Sequence, residues 1–413
     1  MNRRFRNIRW GRAYSVTVRR SLQVERLESR QLLAAISMTD REQLLLELIN
    51  RARQNPGAEA TKLGIDLNQG LDPGTIANSP KQPLAPNQLL LNAARQHSQD
   101  MLNNNYFAHI NLQRKDAGQR INDAGYAWTG WGENLSWGGS TGTIDQVQQV
   151  YSRHESLFKS PGHRKTMLVD AFHEVGLGVR YGVFTEKGVN YNASMVTEKF
   201  AKSFNKVFIT GVAFTDQIQR DSFYTIGEGI GSLTVVATSD SSRFETRTGP
   251  SGGYSLEVMP GTYTVTFSDG ILAQPISFPN IVVQSENRKV DLIPSQEVKL
   301  QLSLSTSSIP EKGGTTAAVV SRTGLNTSSL TIQITSSNNA RATVPTTVTI
   351  PAGKGSATFT IRAVDNSAIE GDQTVTIRAS ATGASSASVS LKIIDDEKAQ
   401  LSISLSEDTM REI

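Results

Sequence analysis

The chain has 413 residues, a formal net charge of +4 and no cysteine. Since one domain usually takes roughly 100 to 200 residues, this length predicts several domains. The missing cysteine excludes disulfide bonds, thiolate metal sites and a cysteine nucleophile. Apolar runs in the sequence all fall short of the roughly 20 residues that cross a bilayer, so we expect no transmembrane segment.

Residues 1–37 differ from the rest of the chain in charge. They contain nine arginines and two glutamates, a local charge of +7 that leaves −3 on the remainder. Because phosphate binding requires basic residues clustered on the folded domain itself, we predict no nucleic-acid partner. A basic stretch that ends in the apolar run "QLLAAIS" is typical of a targeting leader, and a disordered basic arm is the alternative.

Residues 38–203 have patterns typical of helices followed by strands. Thr39 stands three residues before Glu42, which is the spacing of a capping box, and Pro56-Gly57 is expected to end this helix. A second helix is predicted in "APNQLLLNAARQHSQDML", where His97 and apolar residues recur on one face.

A third helix is predicted in "TIDQVQQVYSRHESLFKS". At about 100° per residue, His154 and Glu155 flank the direction of Tyr151, so both are expected at its apolar face. The segments "FHEVGLGVRYG" and "YNASMVTEKFA" have the length and β-branched content of strands. Helices followed by strands predict an α/β layered domain over 38–203.

The pattern of apolar and polar residues changes from residue 204 onward. Residues 204–295 contain short alternating strands, among them "GGYSLEVMPGTYTVTFSDG", and predict a small β-sandwich. Residues 296–397 form a third predicted unit that is rich in serine and threonine. Residues 398–413 partly repeat its start and place Glu412 opposite Glu311, which predicts a further repeat or a C-terminal tail.

All five histidines lie between positions 97 and 173, in the first predicted domain. His97, on a helix face, is expected to be a core histidine. His109 and His163 lie in turns, where a site role and a structural role are both open, and Glu133 lies between glycines and tryptophans. Two imidazoles and one or two carboxylates that converge in a cleft could bind a divalent metal or act as general acid and base. No HExxH, GxSxG, P-loop or dinucleotide motif occurs in the sequence.

Six short motifs of this region are similar, in order and spacing, to the CAP superfamily. This superfamily includes the SCP, cysteine-rich secretory, antigen 5 and pathogenesis-related proteins. The motifs are "HSQDM", "YFAHINL", "RINDAGY", "GENLSW", "LFKSPGHRKTML" and "EVGLGV". The resemblance implies an α-β-α sandwich whose cavity carries two histidines and two acidic residues, which hold a divalent ion in several members. A chain without cysteine resembles the disulfide-free bacterial form of the family.

The resemblance carries three cavity residues over to this sequence: His109, Glu133 and His163. For the remaining acid it leaves two choices open, Glu174 and Glu155, because the short bacterial form lacks the family's longer insertion. His154 is then expected to be a neighbour of His163 or a core histidine. The resemblance implies zinc as the metal of this cavity.

Two other segments resemble known modules. "ERLESRQLLAA" resembles the LEPR-XLL segment of large bacterial surface proteins, with Ser29 where that pattern has proline, and implies export or surface display. "SGGYSLEVMPGTYTVTF" resembles carboxypeptidase-regulatory or Cna-B-like modules, which are β-sandwiches.

Residues 296–397 resemble a Calx-beta repeat, through "TVTIPAGKGSATFTIRAVDNSAIEGDQTVTI" and a closing "DDE". The resemblance implies calcium binding by carboxylates at one end of a β-sandwich. The matching positions are Glu311, Asp365, Glu370, Asp372, Asp395, Asp396 and Glu397. Two departures weaken such a site, because "NARATVPT" contains no acid and Gln373 follows Asp372 where a second acid is common. Solvated acidic loops without calcium are the alternative.

The sequence therefore predicts a multidomain chain, with an α-β-α sandwich followed by two all-β sandwich modules. We expect a secreted or cell-surface bacterial protein that binds a lipid, a protein or another cell-surface ligand. No catalytic residue is identified, and binding is favoured over catalysis. The alternatives are a structural adhesion or matrix protein, and a metal-dependent, peptidase-like hydrolase whose nucleophile is zinc-bound water.

Overall fold

The computed structural model describes residues 35–295, 297–399 and 401–404. Most of the leader and the position of Glu412 lie outside these residues. The described helices are α1 (Asp40–Gln54), α2 (Pro56–Lys62), α3 (Gln88–Asn103), α4 (Ala117–Asp123), α5 (Gln146–Lys159) and α6 (Pro161–Met167). No described helix has both the length and the hydrophobicity needed to cross a membrane.

The helices pack against both faces of one four-stranded sheet. Its strands are β1 (Ala85–Pro86), β2 (Gly130–Ser140), β3 (Glu174–Glu186) and β4 (Val189–Lys202), in the order β1-β3-β4-β2. Strand β1 runs parallel to β3, whereas β3 and β2 both pair antiparallel with β4. Strand β2 therefore forms one edge of the sheet.

The alternation in "EVGLGV" explains how both faces of β3 are covered. Val175, Leu177 and Val179 point toward α1 and α5 and belong to their hydrophobic core. Gly176 and Gly178 face α3, and a Cβ atom at Gly178 would lie only 2.4 Å from backbone atoms of Ala94. Helix α3 can lie this close to the sheet because the two glycines have no side chains.

The three long helices occur where the sequence predicts them. Thr39 caps α1 with the predicted capping box, and α3 buries its predicted face. The predicted face of α5 is partly wrong, because the buried side extends toward Leu157 while Tyr151 is exposed. His154 is buried as expected, whereas Glu155 lies on the solvent side.

The second group of strands forms two sheets around its own hydrophobic core. The strands are β5 (Val207–Val212), β6 (Thr234–Thr238), β7 (Arg243–Arg247), β8 (Gly253–Val258), β9 (Gly261–Ser268), β10 (Ile276–Val283) and β11 (Arg288–Lys289). The sheet orders are β10-β9-β6-β7 and β11-β5-β8. Although β8 and β9 are separated by only two residues, they lie in different sheets. Tyr254 and Phe267 therefore meet in the core with an edge-to-face contact.

The third group of strands forms two five-stranded sheets around a further core. The strands are β12 (Val298–Leu304), β13 (Ser308–Pro310), β14 (Thr315–Arg322), β15 (Leu330–Ser336), β16 (Ala342–Thr343), β17 (Thr347–Ile350), β18 (Ser356–Ala363), β19 (Gln373–Ser380), β20 (Ala384–Ser385) and β21 (Ala387–Ile394). The orders are β16-β18-β14-β12-β20 and β13-β21-β19-β15-β17. The β-sandwich character predicted for this part of the chain is confirmed, while the predicted domain boundaries stay predictions.

The first two groups of elements are joined by a buried asparagine. Asn287 has no solvent exposure, and its amide nitrogen donates to the carbonyl oxygens of Pro83 (2.9 Å) and His173 (2.7 Å). Its side-chain oxygen accepts from the amide of Phe208 at 2.9 Å. Lys289 adds an ion pair to Glu47 on α1 at 2.9 Å. The asparagine side chain thus satisfies three backbone groups that burial would otherwise leave without partners.

Replacing Asn287 with leucine is expected to lower the free energy of unfolding by about 2 to 4 kcal/mol, because three buried backbone groups lose their partner. Urea unfolding of the full chain measures the change. The matched control is Asn92→Ala, at an exposed position on α3, which is expected to change stability by less than about 0.5 kcal/mol. Equal effects of the two substitutions would contradict this role for Asn287.

Candidate functional site

The candidate site lies where the edge strand β2 presents two polar residues to opposite faces of the sheet. Glu133 is paired in register with Lys199 of β4, and Asn134 with Glu198. Because successive side chains of a strand alternate, Glu133 points to the α3 face and Asn134 to the α1 face. The short motif "GEN" therefore places one polar side chain on each face of the sheet, at its edge.

Glu133 is a buried carboxylate with three cationic or donor partners. Its oxygens accept from Lys199 Nζ at 2.6 Å, from Arg120 Nη2 at 2.7 and 2.9 Å, and contact His109 Nδ1 at 3.0 Å. Burial opposes ionisation, but the hydrogen bond to His109 and the charges of Lys199 and Arg120 outweigh it and lower the pKa of Glu133 to about 2. The carboxylate is therefore ionised at neutral pH.

The same ion cluster fixes the loop that carries His109. Arg120 on α4 reaches Glu133 with one guanidinium nitrogen and donates with the other to the carbonyl oxygens of His109 (2.7 Å) and Lys115 (2.6 Å). A carboxylate with a pKa near 2 has no proton to donate at neutral pH. His109 Nδ1 must therefore carry the hydrogen of this contact, which leaves Nε2 of a neutral imidazole as the acceptor.

His163 is held from the other face of the sheet. Its carbonyl oxygen accepts from Asn134 Nδ2 at 3.1 Å, and its Nδ1 contacts Ser160 Oγ at 2.8 Å. Burial lowers the pKa of His163, as does repulsion from His109 when both rings are protonated, so the His163 imidazole is neutral at neutral pH. Among the described residues, neither His109 nor His163 has a hydrogen bond to its Nε2 atom.

The two choices for the remaining acid have other partners. The Glu174 carboxylate accepts from Asn87 Nδ2 at 2.7 Å and from the hydroxyl groups of Tyr126 and Ser203, and burial raises its pKa. Glu155 is exposed and forms an ion pair with Lys159 at 2.6 Å. The structure shows no hydrogen bond between either carboxylate and His109, Glu133 or His163.

The other buried histidines serve the core. His97 contacts the carbonyl oxygen of Ala108 at 3.1 Å, and burial lowers its pKa to about 4. His154 contacts Glu59 Oε1 at 3.0 Å, and both side chains are nearly inaccessible to solvent. His154 is therefore a core histidine, the second of the two roles that the sequence left open for it.

Four residues of the site are not predicted from the sequence: Arg120, Asn134, Glu198 and Lys199. Arg120 and Asn134 lie inside the motifs "RINDAGY" and "GENLSW", but no spacing rule connects them to Glu133 or His163. Lys199 and Glu198 lie in the apolar strand segment "MVTEKFA". Charged residues in a strand are normally exposed to solvent. Their burial here could not be predicted without knowing their partners across the sheet.

Five of the seven predicted calcium ligands in the third group already have partners, among them Glu397, whose carboxyl group shares a hydrogen bond with Asp395. Glu311 and Glu370 contact Arg341, Asp372 pairs with Lys392 at 2.6 Å, and Asp395 accepts from the amides of Glu370 and Gly371. Asp365, Asp396 and Glu397 each place a carboxylate oxygen within 4.8 Å of the others. A second such group consists of Glu311, Asp395 and Glu397.

Comparisons with known proteins assign one part of the chain. A family model described as "CAP: Cysteine-rich secretory protein family" matches residues 46–190. A comparison with curated proteins finds no match. Among solved structures, an extracellular protein containing an SCP domain from Bacillus anthracis is 21% identical, with a TM-score of 0.26, over 40% of this chain and 40% of its own.

Two further solved structures are similar to parts of the chain. The apo form of the Calx CBD1 domain is 17% identical, with a TM-score of 0.20, over 24% of this chain and 98% of its own. An outer surface protein from Borrelia burgdorferi is 16% identical, with a TM-score of 0.26, over 40% of this chain and 92% of its own. The family match alone assigns residues 46–190.

The buried carboxyl of Glu198 predicts a pH-dependent stability. Burial raises its pKa to about 8, against 4.5 for the ordinary group, and the hydrogen bond from Asn134 only partly opposes this. The folded state therefore retains a proton that the unfolded state loses above pH 4.5. The stabilisation is complete below about pH 4.5 and is lost as the pH rises toward 8.

Replacing Glu198 with glutamine is expected to remove this dependence. Relative to wild type, the variant gains on the order of 3 to 4 kcal/mol of unfolding free energy between pH 5 and pH 8. Urea unfolding followed by tryptophan fluorescence at both pH values measures the difference. Glu155→Gln, at an exposed position, serves as control with a difference that does not change with pH. A constant difference for Glu198→Gln as well would show that Glu198 titrates normally.

Proposed function

We propose that the chain is an extracellular binding protein whose CAP domain presents two imidazoles for a divalent metal. The proposal starts from the CAP domain at residues 46–190. The orientation of the His109 and His163 rings is the observation that supports this proposal most directly. Contacts at Nδ1 hold both rings, and their Nε2 atoms have no hydrogen bond among the described residues. The description of the matched family as secretory, together with the leader, supports an extracellular location.

The proposed metal would have two protein ligands, His109 and His163. Neutral imidazole Nε2 is a common zinc ligand, and a carboxylate that accepts from Nδ1–H is the usual partner of a metal-binding histidine. Glu133 takes this second role for His109, since Lys199 and Arg120 occupy its oxygens. A metal held by His109 and His163 would supply a localised positive charge for an anionic or carbonyl-bearing ligand. With two protein ligands its affinity is expected to be lower than that of a three-ligand site.

Binding fits the geometry better than hydrolysis. A general base works best with a pKa near the operating pH, whereas the pKa of Glu133 is about 2. Burial lowers the pKa of Lys199 to about 8, although the negative charge of Glu133 opposes this shift. The Lys199 side chain is fully enclosed, and its ammonium group is paired with that carboxylate. Neither group is placed to take a proton from a ligand beside His109.

We also propose that the third group of strands binds calcium through Asp365, Asp396 and Glu397. Their oxygens lie within 4.8 Å of one another, and hard carboxylate oxygens are the ligands that calcium prefers. The hydrogen bond with Asp395, then burial and the charge of Asp396, raise the pKa of Glu397. A divalent cation would relieve this crowding of like charges.

Zinc binding to the full chain is expected to depend on both imidazoles. Isothermal calorimetry should give a stoichiometry near one zinc ion per CAP domain. The double variant His109→Ala/His163→Ala should lose this binding, and each single variant should weaken it at least about tenfold, since one ligand bond of two is lost. The matched control is His173→Ala, because His173 contacts the carbonyl oxygen of Lys206 outside the site.

Zinc affinity that is unchanged in the double variant would overturn the proposed site. If the wild-type chain and the double variant also bind cell surfaces equally well, the adhesion alternative is favoured. Metal-dependent turnover of a peptide substrate, lost in the double variant, would instead support the hydrolase alternative.

A further inference from the structure

Arg341 lies at the acidic end of the third group of strands, just before β16. Its amide donates to Asn338 at 3.1 Å, and its carbonyl oxygen accepts from the amide of Val364 at 2.9 Å. These two bonds fix the backbone, and the side chain, only 17% exposed, extends among the carboxylates. The guanidinium position therefore follows from the fold.

The guanidinium joins two carboxylates from different parts of the chain. Arg341 Nη1 lies 3.2 Å from Glu311 Oε1, and Nη2 contacts the Glu370 carboxylate. Asn366 also donates to Glu311 through its side-chain amide. Glu311 is only 3% exposed, so its charge requires a partner inside the protein. An arginine is protonated at all physiological pH values, and this partner is therefore permanent.

We propose that Arg341 is a built-in cation that excludes a divalent cation from Glu311 and Glu370. A carboxylate oxygen that accepts from a guanidinium is not free to bind calcium, which needs six to eight oxygen ligands. The group Glu311, Asp395 and Glu397 is therefore closed, while Asp365, Asp396 and Glu397 are left for the cation proposed above. The inference concerns different carboxylates and holds whether or not that cation binds.

The consequence is that this end of the β-sandwich keeps its shape without calcium. Glu311 follows β13, Arg341 precedes β16, and Glu370 lies in the segment before β19. One guanidinium connects all three segments across the two sheets. A permanent charge in this position makes the local structure indifferent to chelators, whereas a calcium bridge would make it dependent on the ion concentration.

The test measures calcium stoichiometry by calorimetry and hydrogen exchange by mass spectrometry on the full chain. Arg341→Met is expected to bind one more calcium ion per chain than wild type. Its residues 338–343 should exchange faster in chelator and regain protection with calcium, while wild type exchanges equally in both. The control is Arg378→Met, because Arg378 is exposed on β19 and its side chain donates to Ser386.

The outcomes separate this inference from the calcium proposal. If wild type binds no calcium and Arg341→Met binds one ion, the three-carboxylate site fails and the inference stands. Equal stoichiometry and affinity in wild type and Arg341→Met, with normal protection of β14 and β18, would overturn it. If the methionine variant fails to fold, Arg341→Gln keeps a hydrogen-bond donor without the charge. The glutamine variant is expected to gain the same calcium ion, and no gain there would also overturn the inference.

Discussion

The CAP domain depends on one buried carboxylate that is shared by two cations. Glu133 meets Lys199 from the neighbouring strand and Arg120 from α4, and Arg120 then holds the backbone of His109. Removing one member of such a cluster leaves an unpaired charge in the interior, which is far more costly than the loss of a surface ion pair. The strand pairing, the position of α4 and the orientation of an imidazole are therefore fixed together.

Much of the fold could be predicted from the sequence because it depends on local patterns. The capping box at Thr39, the apolar face of α3 and the alternation in "EVGLGV" each determine an element without reference to distant residues. The site was only partly predictable. His109 contacts Glu133, whereas Glu174 lies with Tyr126 and Ser203. Which carboxylate lies beside which histidine depends on strand register and on long-range packing, which no short motif encodes.

The same kind of buried polar contact occurs at three distant places in the chain. A buried polar group is matched by a partner from a remote segment: Lys199 for Glu133, Asn287 for the carbonyl oxygens of Pro83 and His173, and Arg341 for Glu311. Each pairing costs desolvation and specifies one arrangement of segments. With no cysteine in the chain, these polar contacts and the hydrophobic cores connect segments that disulfides join in many secreted proteins.

Glu133 sets the tautomer of His109, and the proposed metal site requires a bare Nε2 on that ring. Two-bond proton–nitrogen correlation spectra of the full chain, with nitrogen-15 in its histidines, test this directly. At pH 8 we expect a protonated Nδ1 and a bare Nε2 in His109. Zinc should shift the Nε2 signals of His109 and His163 and leave those of His97, His154 and His173 unchanged. A proton on Nε2 of His109, or zinc shifts confined to other histidines, would contradict the proposed site.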